Sequence, residues 1–202
     1  MGASSKKLML RDQEQRVATM LVIFVGPPGA GKGTQSVRLA KYLGVPHCST
    51  GEMFRQACLA DTEIGHQANE YMQSGRLVPD ALVQTIVAER LVQPDCKDGC
   101  VMDGFPRTLV QAQAFDTWCK DNYLPVSKVI EFQVDEQTLL SRLDGRGRAD
   151  DAAEVVKERL RQYRELTMPL LDYYRKQGVL ATVSGIGEMD DVFGSIKAAL
   201  ES

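Results

Sequence analysis

The sequence predicts an α/β fold, a five-stranded parallel sheet with helices on both faces, and three observations predict it. An apolar run at 20–25 leads through a glycine loop, Gly26-Pro27-Pro28-Gly29-Ala30-Gly31-Lys32-Gly33-Thr34, into a helical pattern at 35–43. Four further short strand patterns alternate with helical ones, the order that gives right-handed crossovers and a sheet covered on both sides. At 202 residues the chain is long enough for one well-buried core with small appended subdomains, and it holds no repeat, low-complexity tract or second core.

Taken in order, residues 1–17 carry Lys6, Lys7, Arg11, Asp12, Glu14 and Arg16 among few apolar residues, which reads as an exposed extension without chemistry before a core at 18–202. Gly2 invites a myristoylation reading, but Lys6 stands where Ser or Thr belongs. The acidic residues argue against a mitochondrial presequence, and a cytoplasmic protein is expected. In the glycine loop, the missing Cβ atoms at 26, 29, 31 and 33 let successive N–H groups point into one concavity. The helix start adds its free N–H groups and positive dipole end, and Lys32 adds an ammonium that reaches the outer phosphates of a nucleotide. The spacing G-x-x-x-x-G-K is that of the P-loop. Gly33 separates Lys32 from Thr34, so direct metal ligation by Thr34 is not expected.

Gly44-Val45-Pro46 breaks the chain before a brief strand at 47–49, and Thr50-Gly51-Glu52 reads as the cap of the next helix. Helical patterns at 64–73 and from 79 or 80 to 91 follow. They exceed what a crossover needs, so a substrate-binding insert is expected there. A strand at 100–102 ends in Asp103-Gly104-Phe105-Pro106-Arg107. An acid at that strand end beside a P-loop is placed to hold Mg²⁺, and a guanidinium beside a stiff proline is suited to presenting its fork to a phosphate. The alternatives are a turn residue for Asp103 and a surface salt bridge for Arg107. A helix at 109–120 carries Trp118 as a core residue. A strand at 129–134 and a helix at 137–143 then lead to a guanidinium cluster, Arg142, Arg146, Arg148 and Arg159. Arg142 and Arg146 are four apart and share a helix face if the helix persists that far, where like charges cost stability unless an anion sits between them, and a triphosphate is the candidate. The alternative is a solvated basic surface balanced by Asp144, Asp150, Asp151 and Glu154. A long helix at 152–176, bent near Pro169, a strand at 179–183, a loop at 184–187 and a helix at 189–200 close the chain.

Composition excludes several classes. With 44% hydrophobic and 25% charged residues and no apolar run long enough to cross a bilayer, the chain reads as soluble. A formal net charge of -3 supplies no global basic field, so neither nucleic acid nor membrane is expected as a partner and any phosphate site is local. Cys48, Cys58, Cys96, Cys100 and Cys119 are odd in number and scattered, and the pair Cys96 and Cys100 lacks the second pair a zinc site needs. Free thiols in a reducing compartment, with no structural zinc, are expected. His47 and His66 read as ordinary packing or surface residues.

From residue 19 onward the sequence closely resembles the adenylate kinases, in GPPGAGKGTQ at 26–35, STGEMFR at 49–55, GRLVPD at 75–80, DGFPRTLVQA at 103–112, the arginines at 142, 146, 148 and 159, and DD at 150 and 151. The resemblance implies reversible transfer of the γ-phosphoryl group of Mg·ATP to AMP, giving two ADP. It also implies two mobile parts, a monophosphate-binding insert at about 49–78 and a very short lid at about 145–151. Carried over residue by residue, Gly29, Ala30, Gly31, Lys32, Gly33, Thr34, Arg142, Arg146 and Gly187 hold ATP. Thr50, Arg55, Arg76, Leu77, Val78, Gly104, Phe105, Pro106, Arg107, Gln111, Arg148 and Arg159 hold AMP. Lys32, Arg142, Arg146, Arg148 and Arg159 stabilise the transferring phosphoryl group collectively, and Asp103 organises Mg²⁺ through water. A monomer is expected.

The uridylate-cytidylate kinases are similar, but they carry Ala where this chain has Thr50 and Asn where it has Thr108 or Gln111; Thr50 and Gln111 favour adenine, since an amide both donates and accepts against the purine edge. A GTP-using AMP kinase and a catalytically silent nucleotide-binding regulator also compete, and Lys32, Arg55, Arg107, Arg159 and Asp103 all speak against the regulator. Only Gly147 stands between Arg146 and Arg148, so the lid is shorter than is usual among short-lid members. A shorter lid excludes less water, and more ATP hydrolysis in the absence of AMP is expected.

Overall fold

The computed structural model describes residues 20–144 and 152–202. Five strands, β1 (Met20–Val25), β2 (His47–Ser49), β3 (Gly99–Asp103), β4 (Val126–Gln133) and β5 (Leu180–Ser184), pair in parallel in the order β2-β3-β1-β4-β5. The described helices are α1 (Lys32–Leu43), α2 (Thr50–Leu59), α3 (Glu63–Gln73), α4 (Asp80–Leu91), α5 (Leu109–Asp121), α6 (Glu136–Asp144), α7 (Ala153–Gln162), α8 (Pro169–Lys176) and α9 (Met189–Glu201). None is long and apolar enough to cross a membrane.

The sheet is buried on both faces because every residue of β1 after Met20 is apolar and alternate ones serve different cores. Leu21, Ile23 and Val25 join Phe54, Val87, Phe115, Leu170 and Tyr174 on one side. Val22 and Phe24 join Leu39, Leu139, Leu160 and Ile196 on the other. From β1 the chain crosses past β3 to reach β2, whereas from β3 it crosses past β1 to reach β4. The order therefore reverses beside β1, and a crevice opens at the carboxyl ends of the strands there. The loops after β1, β3 and β5 and the start of α2 all reach this edge.

Three local features differ from the sequence reading. The cap of α2 is Ser49, whose Oγ accepts from Glu52 N at 3.4 Å, while Thr50 Oγ1 donates to Gly104 O at 2.9 Å. The helix α1 begins at Lys32, three residues before the pattern read from sequence, so the lysine sits on its first turn. The expected long helix is divided: α7 ends at Gln162, a π-turn spans Tyr163–Thr167, and α8 begins at Pro169. Pro169 has no N–H to continue the ladder, and Met168 N–H reaches back five residues to Tyr163 O at 2.9 Å, so the bend is spread over the turn before the proline.

Candidate active site

The loop after β1 is shaped by Gly29 and Gly31, at φ +85 and +91, conformations that a side chain resists. Gly31 caps α1 without a side-chain hydrogen bond, so no side chain of the cap residue competes for the first-turn N–H groups of the helix. Lys32 Nζ donates to Gly26 O at 2.7 Å and Pro27 O at 2.8 Å, which holds the ammonium over the loop.

Asp103, the last residue of β3, lies beside that loop. Burial pushes its carboxyl up, but the neighbouring His47 imidazole and the positive charges of Lys32 and Arg107 outweigh burial and hold it below the usual carboxylate range. His47 Nε2 lies 3.8 Å from Asp103 Oδ2 and 2.9 Å from Ser36 Oγ. His47, read from sequence as an ordinary packing or surface residue, is brought near Asp103 by the pairing of β2 with β3, which sets His47 opposite Val101 and Ser49 opposite Asp103. His66 is a surface residue, 3.1 Å from Asp61.

Two clefts meet at this point. One takes Thr50 and Arg55 from α2, Arg76, Leu77 and Val78 from the segment after α3, Gly104 and Arg107 from the loop after β3, Gln111 from α5 and Arg159 from α7. It adjoins a space walled by Gly26, Lys32, Pro106, Arg107 and Arg159. The other runs along the glycine loop, where residues 28–34 face Asp103, Arg55, Arg107, Arg142 and Arg159. It continues to Ala30, Thr34, Gly185, Gly187 and Met189. Lys32, Arg107 and Arg159 thus stand where both clefts join. Phe105 offers neither cleft a side chain, since its ring is buried edge-on to Phe115 with centroids 5.1 Å apart.

The guanidinium groups are held by different partners. Arg107 Nε donates to Gly104 O at 2.8 Å and Arg142 Nη1 to Gly185 O at 2.9 Å. Arg55 pairs with Glu52 at 2.9 Å and Arg76 with Glu70 at 2.8 Å, both at the surface. Arg146, Arg148, Asp150, Asp151 and the lid itself lie outside the described residues. Among the described residues the cysteines are free, and no cluster of three or more His, Cys, Asp or Glu could enclose a metal.

A family model described as adenylate kinase matches residues 24–179. The chain belongs to the adenylate kinase family. It is 48% identical over 181 residues to the adenylate kinase of Mycobacterium sp. (strain MCS), covering 90% of this chain and 99% of that protein. It is 46% identical, with the same coverage, to the adenylate kinases of Mycobacterium tuberculosis (strain ATCC 25618 / H37Rv) and Mycolicibacterium vanbaalenii. The matched region of the adenylate kinase model takes in the glycine loop, the start of α2, Asp103 to Gln111 and Arg159, while Gly185, Gly187 and Met189 at the end of the second cleft lie beyond it.

Proposed function

We propose that this chain transfers the γ-phosphoryl group of ATP to AMP, reversibly and with Mg²⁺, giving two ADP. The observation that carries the reading is the convergence of Lys32, Arg107 and Arg159 where the two clefts meet, with an ionised Asp103 beside them. An oxygen of the AMP phosphate forms a bond to the γ-phosphorus as the bond from that phosphorus to the bridging oxygen of ADP breaks. The nucleophile is already anionic, so no general base is required, and catalysis rests on position and on cations facing the equatorial oxygens.

In this reading residues 29–34, Arg142 and Gly187 hold ATP. Thr50, Arg55, Arg76, Leu77, Val78, Gly104, Arg107, Gln111 and Arg159 line the AMP side, with Phe105 and Pro106 contributing backbone or wall. The insert at about 49–78, the lid at about 145–151 and the roles of Arg146 and Arg148 belong to the same proposal, as does a cytoplasmic monomer. A single carboxylate suits Mg²⁺, which keeps most of its waters and takes its other ligands from substrate phosphates. Asp103 would hold it, and the ion when bound would neutralise charge on the phosphates.

Coupled ADP formation with Mg·ATP and each of AMP, UMP, CMP and GMP tests the assignment. Turnover with AMP alone is expected. Turnover with UMP or CMP keeps the P-loop chemistry and reverses the acceptor, and silence with all four in a folded ATP-binding protein points to a regulator. The blank without acceptor reads the ATP hydrolysis expected of the short lid, and phosphate release equal to that of a longer-lid relative refutes that expectation.

A further inference from the structure

The side-chain amide of Gln111 is held from both ends. Its Oε1 accepts the backbone N–H of Arg107 at 2.7 Å, and its Nε2 donates to Asp80 Oδ1 at 2.7 Å. A backbone N–H only donates and a carboxylate only accepts, so turning the amide over sets donor against donor and acceptor against acceptor. Asp80 is itself fastened, because Thr108 Oγ1 donates towards both of its oxygens at 3.1 Å. The Thr108 hydroxyl in turn accepts the backbone N–H of Gln111 at 3.1 Å. A primary amide has two acceptor lone pairs and two N–H donors. One of each is used here, so one acceptor and one donor remain, and their order is set by the protein. Gln111 is 1% exposed yet stands on the wall of the cleft assigned to AMP.

We propose that Asp80 is a positioning residue that sets base specificity: by fixing the Gln111 amide it makes the cleft read the adenine edge, an N1 acceptor beside an N6 amine. The hypoxanthine and guanine edges present N1–H and O6, the same groups in reversed order, and are rejected on polarity although their size fits. The inference rests on the AMP reading above. A base lacking the exocyclic group forfeits one hydrogen bond. A reversed base leaves two buried groups facing their own kind, which costs more.

Wild-type rates with AMP, purine riboside monophosphate and IMP test the order without any substitution: kcat/KM falls along that series, with IMP about tenfold or more below purine riboside monophosphate. Asp80→Asn keeps the size and the helix start but can offer Gln111 either a donor or an acceptor, leaving only the Arg107 N–H to resist a turned amide. In this variant the AMP:IMP ratio of kcat/KM falls by about tenfold through KM for AMP, while kcat at saturating AMP and KM for ATP hold. Gln111→Ala separates reading from positioning by raising KM for AMP whether or not Asp80 orients the amide. IMP used as well as purine riboside monophosphate overturns the Asp80 assignment alone. So does a folded Asp80→Asn with an unaltered AMP:IMP ratio when Gln111→Ala has lost AMP affinity. An unchanged KM for AMP in Gln111→Ala overturns the AMP reading and the Asp80 assignment with it.

Discussion

Replacing Gly104 with Ala perturbs the site at one atom, and the structure sets the size of the effect. Gly104 follows β3 at φ +79, and an alanine Cβ there would stand 2.8 Å from Arg107 Nη2 and 2.9 Å from Thr50 Oγ1. The left-handed conformation costs an L-residue about 1–2 kcal/mol, which for a chain of this length lowers Tm by roughly 2–8 °C. The second effect falls on function. To restore ordinary van der Waals separation the guanidinium must retreat by about 0.6 Å. That retreat strains the 2.8 Å bond from Arg107 Nε to Gly104 O that aims the fork. Loss of one charge-assisted hydrogen bond to the AMP phosphate is about 1.5–3 kcal/mol, so KM for AMP rises about ten- to a hundredfold. KM for ATP changes little, since the glycine loop is untouched. The assay is coupled ADP formation over an AMP titration, beside a thermal melt. A lowered Tm with unchanged KM for AMP refutes the reasoning, because it means that Arg107 does not depend on the open space over Gly104.

Lys32→Met lowers phosphoryl transfer by several orders of magnitude while the far-ultraviolet circular dichroism and the melt remain those of a folded protein, because the ammonium acts at the phosphates and not in the core; unchanged turnover overturns the P-loop assignment. The folded-state pKa of Asp103 lies below its ordinary 3.8, so its ionised form stabilises the fold above that value and the contribution is lost as pH falls through the folded pKa. Urea unfolding of Asp103→Asn below about pH 4 therefore shows a shallower acid decline than wild type, and parallel acid limbs refute the coupling. Tyr174 is fully buried and its hydroxyl has no hydrogen-bond partner among the described residues. Burial first, then Asp116, Tyr173 and Cys119, hold that hydroxyl protonated. Tyr174→Phe removes an unsatisfied polar group and stabilises the chain by about 1 kcal/mol, a rise in Tm of roughly 2–4 °C, whereas a lowered Tm shows that water satisfies the hydroxyl.

The parts of this fold that are legible in the sequence are those whose cause is local. Apolar runs ending at Gly26 and Asp103 mark β1 and β3 to within a residue, whereas β4 begins three residues before the run read at 129–134, and the glycine loop declares its own turn. The end of the long helix is illegible for a reason equally physical: Pro169 marks where the ladder fails, but its effect falls on the turn before it, where Met168 N–H reaches Tyr163 O. His47 and Asp80 escape a reading of the sequence because their partners are distant along the chain. His47 acquires its place only through the pairing of β2 with β3, and Asp80 only through the packing that brings α4 against Gln111. A lone histidine in a short polar strand and an acid at a helix start carry no local sign of either contact.

The charge at the sheet edge explains why the site needs a carboxylate among so many cations. An anion withdrawn from water costs free energy unless it is paired, and His47, Lys32 and Arg107 around Asp103 offset that cost and hold its carboxyl below the usual range. The reverse holds for the cations. Lys32 and Arg107, brought together at the join of the two clefts, repel one another, and the carboxylate of Asp103 beside them reduces that repulsion. The field of these cations, fixed by the backbone of the glycine loop and by Gly104, acts in the space where both phosphate chains are proposed to lie. In the function proposed here such a field would not have to reorganise as charge spreads over the transferring group, which is how preorganised cations lower a barrier that a single mobile lysine could not.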